Sequence, residues 1–251
     1  MTTPSTPATR EAERRAARKG GALRELVVIV AVALVLSVLV RTFVAQAFYV
    51  PSASMENTLQ IQDRIIASKL STEFGGVHRG EIVVFTDPGG WLEGVPPDTG
   101  VKGWLKKAFI FVGLLPSDTG EDLVKRVIGV GGDHVVCCDA KHRIQVNGVS
   151  LDETYIKPGA GTAQVKFDIT VPEGRIFVLG DNRADSADSR YHLDVASGTV
   201  PVGNVVGRVV AVLWPTSHWS GEPVPSIFEN PALDAPPGSR PSSDASGSAS
   251  R

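Results

Sequence analysis

The chain has 251 residues, with 25 Lys and Arg against 27 Asp and Glu, for a formal net charge of −2. That length suits one domain of ordinary size with appendages, and the balanced charge supplies no global basic field, so nucleic acid is excluded as an expected partner. Its 26 glycines and 17 prolines, beside four tryptophans and three tyrosines, suit a turn-rich β protein.

Residues 1–21 are rich in Thr, Pro, Ala and Arg, a composition that predicts a disordered N-terminus. Arg10, Arg14, Arg15, Arg18, Lys19 and Arg24 then crowd the approach to Leu26–Val40, a run with no charge, glycine or proline. A helix over residues 22–45 is predicted to cross a membrane. At the helical rise Leu23–Val44 would reach about 33 Å, close to the hydrocarbon thickness, and Arg41 could snorkel to the interface. After Arg41 no Lys or Arg appears until Arg64. The positive-inside bias therefore predicts a single-pass protein of the plasma membrane, its N-terminus cytoplasmic and the rest outside. A cleaved secretory signal is the competing reading, because Ala45-Gln46-Ala47 resembles an A-x-A site. Arg41 and the apolar Phe43, Val44 and Phe48 around that site weigh against it.

Just beyond the span comes Pro51-Ser52-Ala53-Ser54-Met55-Glu56-Asn57-Thr58-Leu59. Its two serines, stiffening proline and apolar methionine make either an ordinary turn or a nucleophile held above a membrane. From Ile61 onward short apolar runs alternate with turn residues. Strands are predicted at Ile65–Ala67, Ile82–Phe85, Val124–Val130, Val135–Val136, Arg143–Val146, Val165–Val171, Ile176–Leu179 and Val205–Trp214. Asn147-Gly148 is a strong hairpin signal. Short strands so punctuated predict a mainly β fold, an antiparallel sheet, sandwich or barrel-like domain over residues 46–230. Residues 91–122 read as an insert, whose apolar Trp104–Leu115 run is either a flap over the core or an interfacial membrane contact. Residues 231–251, rich in Pro, Ser, Ala and Gly, predict a disordered tail. The adjacent Cys137 and Cys138 suit a structural role, as a strained vicinal disulfide or as two small buried side chains. No second Cys/His cluster at zinc spacing accompanies them, so no metal is expected.

A serine hydroxyl needs a base before it can attack a carbonyl. None of the five histidines sits in a recognisable triad context, and no G-x-S-x-G elbow occurs. A lysine can serve if it is neutral, which requires its pKa to fall by roughly 2 to 3 from near 10.4. Burial supplies that direction. Lys125, inside the apolar strand Leu123-Val124-Lys125-Arg126-Val127-Ile128, is the lysine so placed, unless it faces solvent on an edge strand. If Val124 faces one side and Lys125 the other, Arg126 shares the face of Val124. The other polar concentration, Gly180-Asp181-Asn182-Arg183-Ala184-Asp185-Ser186-Ala187-Asp188-Ser189-Arg190, reads as a packed turn of ion pairs in which Asp188 meets an arginine. A calcium loop is the rival, opposed by the two arginines and by the lack of a bidentate Glu.

These pieces together resemble the bacterial type I signal peptidases, membrane-bound serine proteases that remove signal peptides from exported proteins. PSASMENTL, RGEIVVFTDP, DLVKRVIGVGGD and GDNRADSADSR match that family's boxes in order, over most of residues 51–190, and the insert, paired cysteines and single N-terminal span look more like the actinobacterial branch. The resemblance implies Ser54 as nucleophile and Lys125 as general base, with the Ser54 N–H and the Ser52 hydroxyl as oxyanion hole. It implies that Ser186 hydrogen-bonds the lysine amine, that Asp188 and Arg190 hold their loop, that Asp181 with Arg183 supports it, and that Met55 packs under the nucleophile. Secretory preproteins and membrane lipid are the implied partners, and no cofactor is implied. The sequence departs from the family pattern at Asn57, where proline is usual, at Glu81, where aspartate is usual, and at Ala184-Asp185, where Asp-Asn is commoner. A membrane-tethered β domain that binds export substrates without cutting them is the alternative function.

Overall fold

The computed structural model describes residues 7–92, 109–110, 122–159, 161 and 164–234. The expectations for the 91–122 insert lie outside the described residues, apart from Trp91, Leu92, Phe109, Ile110 and Asp122; those for 235–251 lie wholly outside them.

Helix α1 runs Pro7–Phe43, so residues 7–21 are helical where composition predicts disorder. The reason is local: Ala, Arg and Glu are strong helix formers, and a nucleated helix extends at one hydrogen bond per residue. Its stretch Arg24–Phe43 is long and apolar enough to cross a membrane, and none of it is buried inside the protein. Val27, Val32 and Val35 stand exposed on it, as expected for a helix that is apolar all round.

The chain leaves α1 straight into β1 (Ala45–Tyr49), a strand the sequence reading does not contain. It pairs with β2 (Arg64–Ser68) in antiparallel register from Ala45↔Ser68 to Tyr49↔Arg64. Burial of Phe48 and Val50 in the core beneath explains why these residues end the helix instead of prolonging it. One consequence concerns Ala45-Gln46-Ala47. A protease takes its substrate extended and unpaired, whereas these three residues are half-buried in a sheet. We expect intact-mass spectrometry of mature protein to find the Arg41–Phe48 segment unbroken; a new N-terminus at Phe48 in a substantial fraction would contradict this.

After the short helix α2 (Leu70–Gly75) come β3 (Ile82–Thr86), β4 (Asp122–Val130), β5 (His134–Cys137), β6 (Ile144–Val146), β7 (Val149–Ser150), β8 (Phe167–Thr170), β9 (Arg175–Leu179), β10 (Val200–Pro201), β11 (Val205–Trp214) and β12 (Ser220–Gly221). They build two antiparallel sheets. The larger has the order β1-β2-β11-β3-β4-β9-β10, with β12 on β11, and the smaller β7-β6-β5-β8. Asn147 and Gly148 both take positive φ (51° and 76°) in a two-residue turn closed by Val146↔Val149, as a type I′ hairpin requires. Cys137 and Cys138 are joined as a disulfide.

Strand alternation divides the core. Phe177 and Leu179 of β9 pack towards the smaller sheet with Ile128, Val135 and Ile144, while Ile176 and Val178 pack with Val83, Phe85 and Val127. The central strands β3, β4 and β9 are covered on both faces, so a polar side chain in them enters a dry environment. The packed domain also runs past the expected boundary at residue 230. Pro231–Asp234 forms a 3-10 turn that buries Leu233, accepts Asn147 Nδ2 on the Leu233 carbonyl at 2.6 Å and pairs Asp234 with Arg79 at 2.7 Å. A single apolar side chain that packs into the core outweighs the disorder-prone composition around it.

Candidate active site

Ser54 sits in the 3-10 turn Ala53–Met55, within the loop that joins the paired strands β1 and β2. Two buried side chains anchor that turn: Met55 and Leu59 lie in the core with Phe48, Ile65 and Val209. The Leu59 N–H donates to the Met55 carbonyl at 2.8 Å, and Gln62 N–H to the Val50 carbonyl at 2.9 Å, which closes the loop at its base. Asn57 has φ 91°, a left-handed conformation that asparagine tolerates and proline cannot enter. Its Nδ2 donates to the Tyr155 carbonyl at 2.8 Å. Asparagine, where the family usually has proline, therefore ties this turn to a second segment.

Lys125 lies in β4 opposite Val83 of β3. Its Nζ is 2.5 Å from Ser54 Oγ, and both side chains are buried. Burial pushes the lysine down to about 8; the Arg190 charge reinforces the shift, and Asp188, Asp181 and Asp185 oppose it. The Ser52 hydroxyl is 3.3 Å from Ser54 Oγ, on the more exposed side of the same turn. Serine, lysine and a second hydroxyl thus converge on one point.

The Gly180–Arg190 loop packs on the back of the nucleophile turn. Asn182 N–H donates to the Ser54 carbonyl at 3.0 Å, and Asn182 Nδ2 to the Ala53 carbonyl at 3.1 Å. Asp188, fully buried, accepts the Gly180 N–H at 3.0 Å and two nitrogens of Arg190 at 2.8 and 2.9 Å. Arg190 also donates to the Arg183 carbonyl at 2.8 Å, so one bidentate ion pair holds both ends of the loop. Gly180 has no room for a side chain, since a Cβ there would lie 2.4 Å from the Ser54 carbonyl oxygen.

Two expected contacts differ. Asp181 does not pair with Arg183. Its carboxylate accepts Arg126 Nη2 at 2.7 Å, Arg126 Nε at 2.9 Å and the Thr58 hydroxyl at 2.6 Å. Arg183 instead reaches Glu153 at 2.5 and 2.9 Å and donates to the Gly180 carbonyl at 2.9 Å. The physical reason is strand alternation: Arg126, on the opposite face of β4 from Lys125, is itself buried and needs a carboxylate. Second, Ser186 Oγ is buried without a hydrogen-bond partner among the described residues, so it does not donate to Lys125. It lies against Gly180, 2.3 Å from where a Cβ on that residue would sit, in a position set by the loop's ion pairs.

Sequence reasoning also missed residues that hold the site. Arg126 donates to the Gly80 carbonyl at 2.8 Å and lies over the Tyr155 ring, 4.3 Å from its centroid. Lys157 reaches Glu56 at 2.6 Å. Glu81, at the position where aspartate is usual, is buried, accepts the His78 N–H at 3.0 Å and meets Arg208 at 3.1 Å. The one available signal was Arg126: a second cation beside Lys125 in an otherwise apolar strand demands a buried partner.

Comparison with known proteins is consistent in direction. The family described as "Signal peptidase, peptidase S26" matches residues 23–214. The signal peptidase I of Mycobacterium tuberculosis is 39% identical over 224 residues, covering 80% of this chain and 76% of that protein. A probable signal peptidase I of Mycobacterium leprae is 38% identical over 234 residues, covering 81% and 80%. A solved signal peptidase I from Enterococcus faecalis is 28% identical, covering 53% of this chain and 95% of that one at a TM-score of 0.34.

Proposed function

The chain belongs to the signal peptidase family, peptidase S26, and we propose that it is a membrane-anchored serine endopeptidase that cleaves N-terminal signal peptides from exported preproteins after small residues, in Ala-X-Ala contexts. The observation that carries this reading is the buried 2.5 Å contact between Ser54 Oγ and a Lys125 brought down to about 8. A lysine so placed is neutral in a substantial fraction near neutrality, which is the form a general base needs.

The Ser54–Lys125 contact supports the following steps. Lys125 Nζ takes the Ser54 proton as Oγ bonds to the scissile carbonyl carbon. The oxyanion that forms is held by the Ser54 N–H and by the Ser52 hydroxyl, each donor contributing roughly 3 kcal/mol. The protonated lysine returns that proton to the departing amine as the C–N bond breaks. Lys125 Nζ, neutral again, then takes a proton from a water that attacks the acyl carbonyl, and returns it to Ser54 Oγ as the ester C–O bond breaks. Asn182, Asp188 and Arg190 hold the turn and loop that fix this geometry. Arg24–Phe43 of α1 anchors the protein, two residues short of the expected end at 45 because Ala45 already pairs in β1. The N-terminus is cytoplasmic and the peptidase domain outside, at the height where a bilayer-embedded signal peptide presents its cleavage site. Bilayer lipid is the second partner.

The test is cleavage of an Ala-X-Ala preprotein by the full-length protein, followed against pH. We expect kcat/KM to rise about tenfold per pH unit below the lysine's pKa and to level off above about 8. A profile flat between pH 6 and 9 would remove Lys125 from the role of base. No cleavage at any pH would favour the binding module.

A further inference from the structure

A groove of about 480 Å³ opens where α1 meets the large sheet. Leu36 and Val40 of the helix line one wall, Ala47 of β1 and Ile66 of β2 the other, and Arg41 closes the end nearest the domain. Arg41 Nη1 is buried yet makes no hydrogen bond. Among the described residues no carboxylate lies within ion-pair distance of it, or of Lys69, which is held close by the Lys69 N–H donating to the Val44 carbonyl at 2.9 Å. Burial, and then the Arg41 charge itself, hold the Lys69 ammonium below its usual range. The two cations thus lie near enough to repel each other, and no described carboxylate pairs with either. Both are only partly buried, so water screens their repulsion, and an anion placed between them would be attracted by both. Immediately beyond Lys69, α2 presents Leu70 and Phe74, one turn apart and exposed, Phe74 by 84%.

We propose that this groove binds one anionic glycerophospholipid, its phosphate between Arg41 and Lys69 and an acyl chain along Leu36, Val40, Ala47 and Ile66. The inference rests on the membrane-anchored reading of α1 and adds a specific site to it. Charge selects the occupant. A headgroup whose phosphate is its only charge offsets part of the pair's repulsion, whereas a choline or ethanolamine headgroup brings a third cation beside it. The apolar walls continue from α1, so a lipid tail enters from the bilayer without crossing water. Leu70 and Phe74 would lie at the same level, as an interfacial face beside the headgroup.

Native mass spectrometry of the full-length protein in detergent, titrated with phosphatidylglycerol or phosphatidylcholine, reads the site. We expect wild type to retain phosphatidylglycerol at about tenfold lower lipid concentration, and Arg41→Gln/Lys69→Gln to retain the two lipids alike. The charge-keeping Arg41→Lys/Lys69→Arg should preserve the preference, and Leu36→Trp, which fills the groove, should weaken phosphatidylglycerol retention with both charges intact. Glycerol phosphate should not displace the lipid. Equal retention of both lipids by wild type, or undiminished preference in the double Gln variant, overturns the proposal. So does displacement by glycerol phosphate, or a photo-crosslinker at Leu36 that captures the preprotein's apolar segment in place of lipid. Peptidase activity on a soluble peptide, measured in the same samples, should not differ between these variants. Its absence in wild type would count against the peptidase reading and leave the lipid result standing.

Discussion

Ser54→Ala and Lys125→Met each lower kcat/KM by roughly 10⁴-fold or more, and the double variant is no worse than either alone. The two side chains act as one unit across 2.5 Å, so removing either leaves the other without a task. Lys125→Met carries a second signature that Ser54→Ala lacks. The folded lysine titrates at about 8 and the free one near 10.5. Below pH 8 both folded and unfolded chains hold the proton, and folding bears the whole cost of a buried ammonium, about 3 kcal/mol. Between 8 and 10.5 the folded chain has released a proton that the unfolded chain still binds, so wild-type stability climbs with pH; above 10.5 the cost is gone. Methionine fills similar volume without the charge. Lys125→Met should therefore unfold at higher temperature than wild type at pH 7, with the difference vanishing by about pH 10.5. Residual cleavage within tenfold of wild type in either single variant would sink the dyad, and a destabilised Lys125→Met at pH 7 would contradict the depressed lysine.

Arg126→Ala destabilises the protein by about 3–5 kcal/mol, because it leaves the Asp181 carboxylate buried and unpaired. Asp181 is fully buried, so water cannot replace the guanidinium. Truncating Asp181 as well should recover part of that loss, since the uncompensated charge goes with it. Activity should fall alongside stability, because the peptide after Asp181 supplies the N–H that holds the Ser54 carbonyl. Denaturant unfolding of the two singles and the double gives the coupling energy. A single Arg126→Ala variant within 1 kcal/mol of wild type would mean that Asp181 is satisfied without its arginine.

The same contrast separates what was legible in the residues from what was not. The strands at Ile82–Phe85, Val124–Val130, Ile176–Leu179 and Val205–Trp214 announce themselves through apolar runs bounded by turn residues, and each is found where it is expected. Asn147-Gly148 announces its hairpin because both residues accept positive φ. Strand β1 gives no such signal. Ala45–Tyr49 is equally good as the end of an apolar helix, and only the core beneath Phe48 makes it a strand. Leu233 is the mirror case, a lone apolar residue in a disorder-prone tail that packs into the core.

By itself the sequence marked the pieces: a serine after an apolar helix, a lysine inside an apolar strand and a loop dense in charged residues, each of which had an ordinary reading as well, and it was the resemblance of four boxes in order that implied the chemistry. Only the tertiary structure decided which charges meet. That Asp181 serves Arg126 and not Arg183, that Arg183 serves Glu153, and that the Ser186 hydroxyl makes no hydrogen bond to Lys125 all depend on which face of β4 Lys125 and Arg126 leave and on how the loops pack there. Coulomb attraction acts on distance in space, and a cation 55 residues away along the chain can be the nearest partner once the strands have paired.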